Sequence, residues 1–264
     1  MVNGYMARRR LGQHFLFDPS ILKKIVNVAD INPEDTLVEI GPGHGRLTRM
    51  LSEVASRVIA IEIDESLCKR LKEEFEGIDN IDLICGDALR FPFQDLQRFK
   101  VVANIPYYIT TPIIFKLLDY RKSLLSMTLT IQKEVAERIV AVPNRKNYGI
   151  LSVIIQYYGE ASLKFIIPRG AFRPPPEVDS AVVKIDILRK PKVMALDEEM
   201  FLRVVKSAFG KRRKTLANAL KALVGDDIRD LLKYAGIDPM KRAENLTIPE
   251  FVRLSDRISQ RVRV

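Results

Sequence analysis

The feature that most constrains this chain is a junction. The short, apolar, β-branched run Thr36–Gly41 (T-L-V-E-I-G) passes straight into Pro42-Gly43-His44-Gly45, and helical spacing then begins through Leu47, Met50, Leu51 and Val54. A run of that kind ending in glycines predicts a buried strand. A strand, a glycine turn and a helix in succession predict one unit of a parallel α/β sheet. Glycines at the turn carry no Cβ, so the backbone there can approach a ligand closely. In open α/β sheets ligands settle outside the carboxyl ends of the strands, which is where Gly41 and Gly43 fall.

The alternation continues along the chain. Val58–Ile63 reads as a second strand, Ser66–Phe75 as a second helix, Ile81–Ile84 as a third strand and Lys100–Asn104 as a fourth. A helix from about Thr111 to Leu118 follows, with Pro112 in its first turn, where proline is tolerated. Leu125–Ile131 is a fifth strand, followed by helices around Lys133–Val140 and Tyr148–Tyr158. Ser162–Ile167 and Ser180–Leu188 read as two more strands, linked by the stiff Arg169–Val178 segment and suited to an antiparallel pair finishing the sheet. Past Lys190-Pro191-Lys192 the strands stop, and Glu198–Ser259 reads as several short helices. The expected fold is therefore α/β: a seven-stranded, mostly parallel, Rossmann-like sheet in a domain over 1–190 that begins with a basic arm (1–10), then a small all-helical domain over 191–264.

Charge separates the same two regions. From Arg189 onward there are 18 Lys/Arg against 10 Asp/Glu, so these residues carry +8 of the chain's net +10. A basic module beside a near-neutral one suits a polyanion, because Lys and Arg gain affinity by displacing counterions from phosphates. No stretch approaches the ~20 apolar residues that span a bilayer. The basic start lacks the apolar run of a signal peptide, so the expected compartment is the cytoplasm. Cys68, Cys85, His14 and His44 are the only cysteines and histidines, none in metal-ligand spacing. No metal is expected, and the two thiols are expected to stay inert and unpaired in a reducing compartment.

Three further positions bear on chemistry. Glu62 ends the second strand, 17 residues after Gly45, and a carboxylate there can accept hydrogen bonds from both hydroxyls of a ribose. The glycines fall as G-x-G-x-G after an acid, unlike the G-x-G-x-x-G of dinucleotide sites. That form resembles the S-adenosylmethionine-binding methyltransferases; a dehydrogenase and a purely structural turn remain the other readings. Asp87, after the third strand, suits either a hydrogen bond from a cofactor's adenine amine or an ordinary turn.

Asn104-Ile105-Pro106-Tyr107 follows the fourth strand and opens on the same sheet edge as the glycine loop. Adenine N6 is a poor nucleophile because its lone pair is delocalised into the ring. Accepting both N–H bonds favours a more tetrahedral nitrogen with its lone pair free to attack. Asn104 Oδ1 and the Ile105 carbonyl can be those acceptors, and Pro106 restricts Ile105 to extended conformations. Tyr107 offers a face for stacking, worth roughly 1–3 kcal/mol. N-[IL]-P-Y is a hallmark of amino-group methyltransferases, and no titratable base is needed if catalysis comes from proximity and preorganised hydrogen bonds.

With these residues in register, the chain resembles the ribosomal RNA adenine dimethyltransferases (KsgA type) over nearly its whole length. Leu11-Gly12-Gln13-His14-Phe15-Leu16 resembles the family's G-Q-[NH]-F-L segment, which implies that His14 and Leu16 contact S-adenosylmethionine. Gly41, Glu62, Asp87 and Asn104 match the family's other cofactor-contacting positions. Phe172-Arg173-Pro174-Pro175-Pro176-Glu177-Val178-Asp179-Ser180 resembles the F-x-P-x-P-x-V-x-S loop, which implies that Phe172 sandwiches the target adenine opposite Tyr107. Lys211-Arg212-Arg213-Lys214 lies in a segment similar to the family's F-x-x-R-R-K-T-L, implying phosphate contact. One departure is Tyr108, where many bacterial members carry Asn.

The resemblance implies transfer of two methyl groups to N6 of each of two adjacent adenines near the 3′ end of small-subunit ribosomal RNA. S-adenosylhomocysteine would be the product, and the role would lie in small-subunit biogenesis. It further implies a monomer acting on the small subunit or its precursor, with no membrane and no metal involved. Two alternatives stay open: a large-subunit adenine methyltransferase of the antibiotic-resistance type, and a non-catalytic RNA-binding assembly factor on the same scaffold.

Overall fold

A computed structural model describes residues 13–211 and 213–262; the expected arm over 1–10, the Leu11-Gly12 start of the N-terminal segment and Arg212 lie outside them. All seven expected strands are present, together with a two-stranded ribbon that the sequence did not announce. The ribbon joins β1 (Phe15–Leu16) to β8 (Phe172–Arg173), antiparallel, with Leu16 opposite Phe172. The main sheet contains β2 (Thr36–Ile40), β3 (Arg57–Glu62), β4 (Ile81–Cys85), β5 (Phe99–Asn104), β6 (Leu124–Gln132), β7 (Gly159–Ile167) and β9 (Ser180–Ile187), in the order β4-β3-β2-β5-β6-β9-β7. Strands β2 to β6 pair in parallel with one another, and β9 is antiparallel to β6.

The unbroken apolar runs follow from this topology. A parallel sheet is covered on both faces, so Leu37, Val38, Val58, Val101 and Leu129 are all fully buried. Helix α1 (Pro19–Val28) is a further element without a strong sequence signal; the Asp18 carboxylate caps it by accepting the Ser20 N–H at 2.8 Å. Helices α2 (Arg46–Ser52), α3 (Glu65–Glu74), α4 (Thr110–Asp119) and α5 (Lys133–Ile139) follow their strands as expected.

The strand order reverses at β2. From there the chain runs outward through β3 and β4 on one side, then returns to place β5 on the other. That reversal leaves a crevice at the carboxyl ends of β2 and β5, where ligands bind in open α/β sheets. It brings the Gly41–Gly45 turn beside Asn104-Ile105-Pro106-Tyr107.

One expectation is overturned. Cys68 in α3 and Cys85 at the end of β4 form a disulfide, with Cα atoms 5.9 Å apart. The sequence separation of 17 conceals this, because helix, turn and strand fold back until the first turn of α3 lies against the end of β4.

The chain divides into two compact units, the first made of described residues up to Ala136 with Ala161–Ile187, the second of Glu137–Glu160 with the residues from Leu188 onward. The linear reading placed the segment around Tyr148–Tyr158 with the catalytic region; its side chains instead group with the C-terminal helices. In the second unit α6 (Ile150–Tyr158) meets α7 (Glu198–Gly210) through Tyr157 and Phe201, whose rings stack at 4.2 Å. The Tyr148 hydroxyl donates to the Leu246 carbonyl at 2.9 Å, and α8 (Leu216–Val224), α9 (Ile228–Tyr234) and α10 (Ile248–Val262) complete the module. Among the described residues no helix is long and apolar enough to cross a membrane.

Candidate active site

A cavity of about 880 Å³, open mouth included, lies at the carboxyl ends of β2, β3, β4 and β5. His14, Gly41, Gly43, Glu62, Asp87 and Asn104 all line it, as do Ile105, Pro106 and Tyr107. Every residue expected at the cofactor or the target base, except Leu16 and Phe172, therefore lines this one cavity.

The glycine turn is fitted to its surroundings at two positions. Gly43 has φ of +59°, and a Cβ there would fall 2.8 Å from the Phe15 ring. Gly41 has φ of +72°, and a Cβ would press on Pro106 Cδ at 3.3 Å, so the turn and the Asn104–Tyr107 segment abut. Positive φ is disfavoured for residues bearing a Cβ, which is why both are glycine.

Two carboxylates shape the inner wall. Glu62 is 3% exposed; its Oε2 accepts the Gly43 N–H at 3.1 Å and its Oε1 the Asp64 N–H at 3.0 Å. Burial pushes its carboxyl above the usual range, and those backbone donors pull it part of the way back. Asp87 Oδ1 accepts the Leu89 N–H at 2.8 Å, closing a local turn, and the residue also lines the cavity.

The Asn104 side chain is held in one orientation. Its Nδ2 donates to the backbone carbonyl of His14 at 3.0 Å, leaving Oδ1 as the group it can offer a ligand. The Ile105 N–H is taken by the Thr130 carbonyl at 3.1 Å, which carries the β5–β6 pairing into the turn. Tyr107 exchanges a hydrogen bond with Ser180 at 2.7 Å between hydroxyl oxygens. His14 reaches the Pro174 carbonyl through Nδ1 at 2.8 Å, and its ring lies 5.5 Å from that of Tyr107. Ser180 and Pro174 of the proline-rich loop are thus the residues that meet the Asn104–Tyr107 segment and its neighbour.

Phe172 does not line this cavity. It is 1% exposed and sits in an apolar cluster with Leu16, Leu22, Ile167 and Val182. Pairing with Leu16 across the small ribbon turns the ring inward, and burial of a phenylalanine is worth ~1.5–3 kcal/mol that an outward ring would forgo. Leu16 belongs to the same cluster and lines a smaller second cavity instead of the main one.

That second cavity shares Phe15, Gly41 and Asn104 with the first and exposes a residue the sequence reading had left without a role. Glu39 on its wall is 1% exposed, and burial raises its carboxyl to about 8. Among the described residues its Oε2 has no hydrogen-bond partner, and neither has the buried Oε1 of Gln13 on the main cavity. An acid inside the otherwise apolar run Thr36–Ile40 was the available signal, since buried carboxylates are retained for a partner or a ligand.

In the second unit, Lys211, Arg213 and Lys214 are exposed on the turn between α7 and α8. The Lys214 N–H closes that turn on the Lys211 carbonyl at 2.8 Å.

Comparison with known proteins is in keeping with this geometry. Residues 4–260 match the family model for ribosomal RNA adenine dimethylase. The ribosomal RNA small subunit methyltransferase A of Clostridium acetobutylicum is 46% identical, over 95% of this chain and 93% of its own. The enzyme of that name from Geobacter metallireducens is 41% identical, over 96% and 95%. Among solved structures, a dimethyladenosine transferase from Plasmodium falciparum superposes with a TM-score of 0.77 at 29% identity, covering 91% of this chain and 96% of that one. The 23S rRNA methyltransferase ErmE gives 0.72 at 27% identity, covering 93% and 100%.

Proposed function

Because this chain belongs to the ribosomal RNA adenine dimethylase family, we infer that its cavity carries out that family's reaction with S-adenosylmethionine as methyl donor. The protein is a small-subunit ribosomal RNA adenine dimethyltransferase. The observation that carries the site assignment is the fixed Asn104 amide, whose oxygen is available in the cavity that also holds Glu62.

The residues fit the donor. Glu62 offers a carboxylate to a ribose, and Asp87 an acceptor to an adenine amine. The unpartnered Glu39 Oε2 and Gln13 Oε1 are acceptors suited to an ammonium group such as that of a methionine tail. When bound, S-adenosylmethionine supplies an electrophilic methyl group on a sulfonium centre.

The protein's own residues then act on the acceptor. Asn104 Oδ1 and the Ile105 carbonyl accept the two N–H bonds of the adenine amine, favouring a lone pair available for attack. Tyr107 stacks on the base, its ring steadied by the Ser180 hydroxyl. The His14 carbonyl keeps Asn104 from rotating its amide nitrogen into the acceptor position. No side chain needs to take a proton before transfer, so rate enhancement comes from proximity and fixed dipoles. The base must leave its stack to reach the cavity, which costs least in a loop. Lys211, Arg212, Arg213 and Lys214 supply phosphate contacts from the helical module.

The test is mass spectrometry of both ribosomal RNAs after incubating purified small subunits and purified large subunits, each lacking the modification, with protein and S-adenosylmethionine. Dimethyladenosine at adjacent adenines near the 3′ end is expected. Modification confined to large-subunit RNA would overturn the assignment, and so would particle binding without transfer.

A further inference from the structure

The cavity has one wall that the reaction described above does not use. Tyr108, in the single helical turn Tyr107–Ile109 after β5, lines the cavity yet is 52% exposed. Ile63, immediately after Glu62, lines the same cavity and is 46% exposed. Large apolar surface left uncovered beside carboxylates that bind a polar ligand marks a place where a flat, partly apolar group settles. Asp87 and Glu62 line the same cavity; burial, and then the charge of these two carboxylates, push the Tyr108 hydroxyl above its ordinary range.

We propose that Tyr108 is a specificity-determining residue for the cofactor, its ring covering the adenosine end of the donor beside Asp87 and Glu62. This rests on the S-adenosylmethionine reading above. An aromatic face stacks on adenine without needing directional hydrogen bonds, and Ile63 supplies apolar contact in the same cavity. An asparagine at this position would have no such face. Asp87 and Glu62, the carboxylates that the reading above gives to the donor, line the cavity with Tyr108 and act on its hydroxyl, which favours the cofactor as the ring's partner.

Isothermal titration of S-adenosylhomocysteine into the parental protein and into Tyr108→Asn, Tyr108→Ala and Tyr108→Phe tests this. Asn and Ala are expected to weaken binding about ten-fold, and Phe by less than about two-fold, since the ring and not the hydroxyl acts. The same loss is expected with 5′-methylthioadenosine, which lacks the amino-acid tail, while KM for the ribosomal particle stays put. Parental-strength binding by Tyr108→Ala overturns this proposal alone, as does a raised KM for the particle with unchanged cofactor affinity. Failure of the parental protein to bind S-adenosylhomocysteine overturns the donor assignment and this one together.

Discussion

Asn104 donates its side-chain amide to the backbone carbonyl of His14 at 3.0 Å, across 90 residues of chain. The acceptor oxygen at the end of β5 is therefore oriented by the N-terminal segment, and His14 is itself tied to the Pro174 carbonyl. Three distant stretches thus set one atom. Replacing Asn104 by Ala removes that oxygen while leaving Glu62, Gly43 and Asp87 in place. We expect kcat to fall by roughly 10²–10³-fold, the usual cost of one preorganised polar group, while S-adenosylhomocysteine binding stays measurable. Turnover near the parental rate in single-turnover assays would refute the role given to Asn104.

Glu39 makes stability depend on pH in a direction opposite to that of an ordinary paired carboxylate. Burial raises its carboxyl from the ordinary 4.5 to about 8 in the folded protein. Between those values the native state keeps a proton that the unfolded chain releases, so stability falls as pH rises through the window and levels off above it. One proton corresponds to roughly 1 kcal/mol per pH unit. Glu39→Gln keeps the shape and loses the titration, so its Tm measured without cofactor should gain on the parental Tm by several degrees from pH 5 to pH 8. A constant difference across that range would mean that Glu39 is ionised when folded.

The Cys68–Cys85 bond closes a loop with a sequence separation of 17, flanked by Glu62 and Asp87. Cross-links of that span stabilise by about 3 kcal/mol, chiefly by restricting the unfolded chain. Cys85→Ser, or the parental protein held in a dithiol reductant, should melt several degrees lower. Intact mass under non-reducing conditions should lie about 2 Da below the all-thiol value, since a disulfide carries two hydrogens fewer. Free alkylation of both sulfurs in the untreated native protein would count against the bond.

The basic turn makes an electrostatic prediction. Replacing Lys211, Arg212, Arg213 and Lys214 by Ser should weaken particle binding and lower the slope of log affinity against log salt by about 3, near one per phosphate contact. Methylation of a short adenine-containing oligonucleotide confined to the cavity should change little. If the salt slope is the same in parental and replaced proteins, these cations do not meet the phosphates.

The residues of the site were legible to different depths. Gly41, Gly43, Glu62 and Asn104 announced themselves, because each ends a strand or lies in the turn just after one, and those apolar runs are complete within a few residues of sequence. His14 was placed at the cofactor by family resemblance alone, and its carbonyl bond to Asn104 had no local signal. Phe172 was not settled by the sequence: an aromatic beside a proline run can face a site or the core, and here it lies buried opposite Leu16. Tyr108 was seen as a departure, but its nearness to Asp87 and Glu62 depends on where the turn after β5 points.

By itself the sequence determined the alternation of strands and helices, the glycine turn, the Asn104–Tyr107 segment after the fourth strand and the excess charge of the C-terminal module. Local periodicity, backbone restriction at Gly and Pro, and composition are properties of short stretches, so they can be read without a fold. The tertiary structure alone decided which way the Asn104 amide faces, that Phe172 is core, that Glu39 keeps a proton, and that Cys68 meets Cys85. Each of these depends on which groups lie within a few ångströms across large sequence separations, and strand order and burial set those distances after the chain has closed on itself.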